Sequence, residues 1–115
     1  MNEDIEEMIN IYDTRKIDWI GDSIKTLSDL TRHHIVKKQY GGCNSVNNYA
    51  LLTTSSHHFI HEIETKYNKE YIYINNLFMD LNESKNPPDK DYYDKILPVI
   101  KRIRKRIKNE KRKNR

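Results

Sequence analysis

With 115 residues, 33% charged and 36% hydrophobic, the chain has material for one domain with a modest core, and no apolar run approaches the roughly 20 residues that a membrane-spanning helix needs. Its start, MNEDIEEM, is acidic and has no stretch like the hydrophobic centre of a secretion signal, so a cytoplasmic protein is expected. The net charge of +4 hides an asymmetry: the last 15 residues, KRIRKRIKNEKRKNR, hold ten Lys or Arg and one acid and so carry +9, while positions 1–100, with 11 basic and 16 acidic residues, carry −5, a distribution that suits a polyanionic partner such as nucleic acid.

In chain order, Ile5, Met8, Ile9 and Tyr12 recur at helical spacing with acids between them, which predicts an amphipathic helix over about residues 3–13. Residues 15–29 read as a helix or a turn, because Gly21 interrupts the series Ile17, Ile20, Ile24 and Leu27, with Trp19 as a core anchor. LTRHHIV, from Leu30, reads as a strand entering the loop QYGGCNSVNN, and YALLTT as a second strand. TTSS then offers N-caps for a helix over HHFIHEIETKY, packed through Phe59, Ile60 and Ile63. Tyr67, Tyr71, Ile74, Phe78 and Leu81 step by four, three, four and three, which favours a helix over residues 67–85. Pro87 and Pro88 break the chain, Asp89 can cap, and a last helix carries Ile96, Ile100, Ile103 and Ile107, with Pro98 predicting a kink or a later start.

Cys43 is the only cysteine, so neither an intramolecular disulfide nor a cysteine-rich zinc knuckle is available. All five histidines, His33, His34, His57, His58 and His61, fall within one 29-residue window. On a helix His57 and His61 lie one turn apart on the same face and can ligate one metal ion together. Neighbouring strand residues point to opposite faces, so only one of His33 and His34 can turn toward that ion. Three protein ligands would leave positions for water and substrate, as catalytic metal sites require.

RHHIVKKQYGG, Asn48, ALL and HHFIH together resemble the HNH (His-Asn-His) endonucleases of the ββα-metal fold, over about residues 30–66. The resemblance implies an α+β protein in which a short two-stranded hairpin and a helix form a ββα-metal core flanked by α-helices. One domain is then expected, with an N-terminal helical segment at 1–29, the HNH motif at 30–66, a helix at 67–85 and a basic helix and tail at 86–115. It implies His34 as general base, Asn48 holding the His34 ring by a hydrogen bond, and His33, His57 and His61 as ligands of one divalent metal ion (Mg, Mn, Zn, Ni or Co). His58 competes with His57 as ligand, and the family register favours His57. The implied reaction is hydrolysis of phosphodiester bonds, with His34 taking a proton from the attacking water and the metal stabilising the departing oxygen.

The expected substrate is DNA, with phosphate contacts from Arg32, Lys37, Lys38, Lys101, Arg102, Arg104 and Lys105. Two other readings are open: an RNA-directed nuclease, and a catalytically inactive module of the same fold that binds nucleic acid or protein. The chain departs from the family in lacking flanking cysteine pairs, with Thr53 and Ser56 beside the second half of the motif, and in carrying Lys37 where proline is frequent. Stabilisation by packing is therefore expected in place of a structural zinc.

Overall fold

The Asn2 side chain starts the first helix, α1 (Glu3–Tyr12), by accepting hydrogen bonds from the amides of Asp4 and Ile5 at 2.8 and 3.3 Å, while Glu3, Asp4 and Glu6 place negative charge at its positive end. Ile5, Met8, Ile9 and Tyr12 are all buried, as their periodicity predicts. This computed structural model describes residues 2–113. Residues 15–29 form turns, not a helix: Ile17 and Ser23 make an isolated antiparallel bridge, Gly21 takes a φ of 86°, and Leu27–Asp29 form one 3-10 turn. The Asp18 carboxylate accepts from the amides of Ile20 and Asp22, occupying donors that a helix would use. Trp19 is fully buried, edge-on to Tyr12 at 4.9 Å, and its indole N–H donates to Thr14.

The strands β1 (Leu30–His34) and β2 (Tyr49–Thr53) pair antiparallel, with Leu30 opposite Thr53 and His34 opposite Tyr49. β2 is buried along its whole length. The helix α2 (Thr54–Lys66) follows without a break, because the Thr53 hydroxyl caps it by accepting from the amide of Ser56. A single residue, Tyr67, separates it from α3 (Asn68–Ser84), and α4 (Lys90–Lys113) closes the fold. The described residues thus make an α+β fold of four α-helices around a two-stranded antiparallel hairpin. None of these helices is long and apolar enough to cross a membrane.

α4 starts eight residues before Pro98 and runs through it, so the later start is corrected. The Asp89 carboxylate caps the amide of Tyr92, and the Tyr92 and Tyr93 hydroxyls donate to the carbonyls of Trp19 and Asp18. This anchorage holds the first turns of α4 although Pro98 withholds one backbone donor. Ile96, Ile100 and Ile103 are buried and Ile107 is partly so, leaving the cations of α4 outward. The core also holds polar Asn82, whose side-chain amide donates to the carbonyls of Val46 and Tyr49, both at 2.8 Å, while its backbone carbonyl accepts from the Tyr12 hydroxyl. These bonds tie α3 to α1 and to the start of β2.

Candidate metal centre

β1 ends beside the first two turns of α2, so Thr31 and His33, on one face of the strand, look toward His57 and His61 one helical turn apart. One ring nitrogen of each of His33, His57 and His61 lies within 4.8 Å of the others, close enough for the three to hold one metal ion. The His57 and His61 rings are stacked at 4.8 Å, and His33 meets both edge-on at 5.7 and 6.0 Å. His33 is only 2% exposed, against Tyr71 and Phe78 of α3. His58 is exposed and outside the cluster.

The neighbours of these rings decide which nitrogen bears the proton. The Thr31 hydroxyl donates to the carbonyl of Leu52 at 2.8 Å, so toward His57 Nδ1, also at 2.8 Å, it acts as acceptor; Nδ1 carries the hydrogen and Nε2 the lone pair. The Asn75 amide nitrogen donates to the carbonyl of Ile35 at 2.6 Å, which turns Oδ1 toward His33 Nε2 at 3.2 Å and leaves His33 Nδ1 as the donor atom. His61 Nδ1 faces a Glu64 carboxylate oxygen at 3.6 Å. The His57 and His33 rings are thus each held by a hydrogen bond on one nitrogen, which leaves the other free for a metal ion. Burial pushes His33 down to about 4, and burial together with the charges of His61, His58 and His34 lowers His57. Both are neutral near pH 7 and have lone pairs to give. Three imidazoles fit a divalent ion, and suit Zn, Ni or Co better than Mg, which takes its oxygens from water and phosphate.

His34 points to the other face of β1, edge-on to Tyr49 at 5.1 Å. Because β1 is an edge strand that ends there, His34 still lines the same cleft of about 280 Å³ as Arg32, His33, Lys37, Lys38, His57 and His61. The hydrogen bond expected from Asn48 to His34 is corrected. Asn48 Oδ1 accepts from the amide of Val36 at 2.8 Å, and its Nδ2 donates to the carbonyls of Val36 and Cys43 at 2.8 and 3.0 Å. It is buried at the base of the loop and spends its amide on the loop backbone, so none of it reaches the imidazole. Asn44 Oδ1 accepts from His34 Nε2 at 2.9 Å instead, leaving His34 Nδ1 as the basic atom. The double glycine serves the same loop in two ways. Gly41 supplies a φ of 88°, and a Cβ on Gly42 would lie 1.8 Å from the Val36 carbonyl oxygen.

The basic residues divide into two groups. Arg32, Lys37 and Lys38 line the histidine cleft; Arg32 is held 3.3 Å from Asp4 and lies over the Tyr49 ring, and Lys37 is 2.5 Å from Glu64. Lys101, Arg102, Arg104 and Lys105 lie elsewhere. Arg104 sits over the Phe59 ring at 4.4 Å, and at 100° per residue Phe59 is on the opposite side of α2 from His57 and His61. α2 therefore stands between the cationic helix and the cleft.

One polar cluster at the site escaped sequence reasoning. Asp18, fully buried, accepts from the amide of Thr53 at 2.9 Å, and Asp22 accepts from the hydroxyls of Thr53, Ser55 and Ser56 at 3.0, 3.0 and 3.2 Å. Burial raises the Asp18 carboxyl despite its hydrogen bonds, whereas at Asp22 the opposing hydroxyl bonds outweigh burial and lower it. The clamp holds the β2–α2 junction immediately before His57. Its only sequence signal was the run of hydroxyls at 53–56, which identifies a cap but not its distant partner. No protein-family model, curated protein or solved structure matches the chain.

Proposed function

We propose that the chain is a metal-dependent endonuclease of the HNH type, built on a ββα-metal core formed by β1, β2 and α2, that hydrolyses phosphodiester bonds in DNA. The observation that carries this reading is the convergence of His33, His57 and His61, the first two oriented by a hydrogen bond on one ring nitrogen, in one cleft with His34 and three cations. A purely structural histidine cluster has no need of a fourth imidazole at the edge of the same cleft.

The divisions of labour follow from the residues. Lys38 and the partly paired Arg32 and Lys37 draw the phosphate into the cleft. His34 Nδ1, with its proton-bearing Nε2 fixed by Asn44, receives the proton of the attacking water. His33, His57 and His61 would hold a divalent ion, which would supply positive charge for the phosphoryl oxygen and the leaving alkoxide. Asn48 acts through the loop: by fastening Val36 and Cys43 it holds the segment that carries Asn44.

The test is cleavage of plasmid and single-stranded DNA, with RNA in parallel, in the presence of Mg, Mn, Ni or Zn. His34→Ala is expected to lower the rate at least about 100-fold, the lower end of what a general base supplies, while zinc affinity measured by calorimetry stays at the wild-type value. Equal cleavage by wild type and variant sinks the role of His34. Zinc binding without turnover on any substrate sinks the nuclease and leaves a binding module.

A further inference from the structure

Beside the histidine cleft a second groove of about 350 Å³ runs between the loop after β1 and the outer face of α3. The two are continuous through three residues. Lys37 lines both, Glu64 lines the groove and faces His61, and Asn75 lines the groove while orienting His33. The groove's volume is at the small end of ligand sites, a size for one ring system and its sugar rather than for a peptide or a duplex.

Its walls have an unusual character for a charged surface. Tyr40 is 74% exposed and Ile72 is 54% exposed, and both line it. The Tyr40 backbone is held where it stands: it closes a 3-10 turn in which its amide donates to the carbonyl of Lys37 at 2.9 Å and the next amide, of Gly41, donates to the carbonyl of Lys38 at 3.1 Å. Asn76 adds an amide at the rim whose side chain makes no hydrogen bond among the described residues. Glu64 contributes no net repulsion, since Lys37 pairs with it. An aromatic ring, an exposed apolar side chain and an amide edge match a nucleobase, and Arg32 and Lys38 of the adjoining cleft, with the Glu64-paired Lys37 that lines both, match its phosphate.

We propose that this groove is a subsite for one unpaired nucleobase flanking the phosphate in the histidine cleft, with Tyr40 as its stacking platform, so that the preferred ligand is single-stranded DNA. The proposal rests on the nuclease reading for the identity of the strand but not on turnover. A base held in a duplex is stacked on its neighbours and cannot present its face to Tyr40, so the groove selects against intact duplex.

The experiment uses the full chain carrying His34→Ala and loaded with zinc, and reads the anisotropy of a labelled single-stranded deoxyoligonucleotide. Against it are set Tyr40→Ala, Tyr40→Phe, a series of oligonucleotides with one abasic position each, and a blunt duplex. Tyr40→Ala is expected to weaken binding about tenfold, within the range that stacking of one base supplies, and Tyr40→Phe to restore it to within about twofold. One abasic position reproduces the loss, and combining it with Tyr40→Ala adds nothing further. Unchanged affinity in Tyr40→Ala, or losses that add at every position, overturns the subsite, as does duplex binding that is equally tight and equally sensitive to Tyr40. Tyr40 is exposed, so the variant's thermal melt matches the parent's and separates lost stacking from lost folding. Wild-type cleavage of the same oligonucleotides is read separately: cleavage without coupling overturns the subsite alone, and coupling without cleavage supports the subsite while overturning hydrolysis.

Discussion

Burial holds the His33 imidazole near 4, whereas in the unfolded chain it titrates near the ordinary 6.5. Between those values the unfolded state binds the proton and the folded state does not, so folding is favoured as pH rises. The metal-free protein therefore has this contribution in full above about 6.5 and loses it as pH falls toward 4, a difference of about 3 kcal/mol for such a gap. Urea unfolding of the metal-free chain across that window is expected to show a steeper fall in stability for wild type than for His33→Asn, which removes the titrating ring; parallel slopes contradict it. The residue scale is also where sequence reading was most uneven. His57 and His61 were legible because an i,i+4 pair shares a helix face whatever surrounds it. Asn48 was legible as an important amide but not in its bonds, because its partners belong to a loop whose path no local rule specifies.

Among the elements, α2 bears two of the three clustered imidazoles, and its first turn is held from outside by Asp22. Asp22→Ala leaves three hydroxyls without their common acceptor and frees the β2–α2 junction. A loss of about 1–3 kcal/mol is expected, the range for hydrogen bonds to a charged group, with a weaker zinc affinity because His57 follows the loosened turn. Thermal melts and zinc titration of the variant check both. An unchanged melting temperature argues that the clamp is a surface ornament. Element types were largely legible: α1, the hairpin strands, α2 and α3 follow from period and cap residues. The segment at 15–29 was not, since Asp18 diverts its amides and no periodicity reports a side chain competing with the backbone.

For the whole molecule, the division of charge along the chain becomes a division in space. Arg104 and Arg106 lie over Phe59 and Tyr67, and the Tyr67 hydroxyl donates to Glu110, so the end of α4 is fastened to the α2–α3 junction, away from the histidine cleft. Cations there reach phosphates distant from the scissile one, if nucleic acid is the partner. Replacing Lys101, Arg102 and Lys105 with Gln is then expected to weaken DNA binding and to flatten its dependence on salt, by up to about 0.7 in log–log slope for each single-strand phosphate that is no longer neutralised. Affinity measured across a salt series decides it, and an unaltered slope removes α4 from the interface.

What the sequence by itself determined is what depends on neighbours a few residues apart: the helical stripes, the His57/His61 pair, the caps at 53–56 and the basic run near the C-terminus. Only the tertiary structure decided which side chains complete the site. Thr31 meets His57 across 26 positions, Asn75 meets His33 across 42, and Asp18 meets Thr53 across 35. Such partners are chosen by how strands and helices pack, and the same packing sets α2 between the cationic helix and the cleft, a separation that the run of charge along the chain does not show.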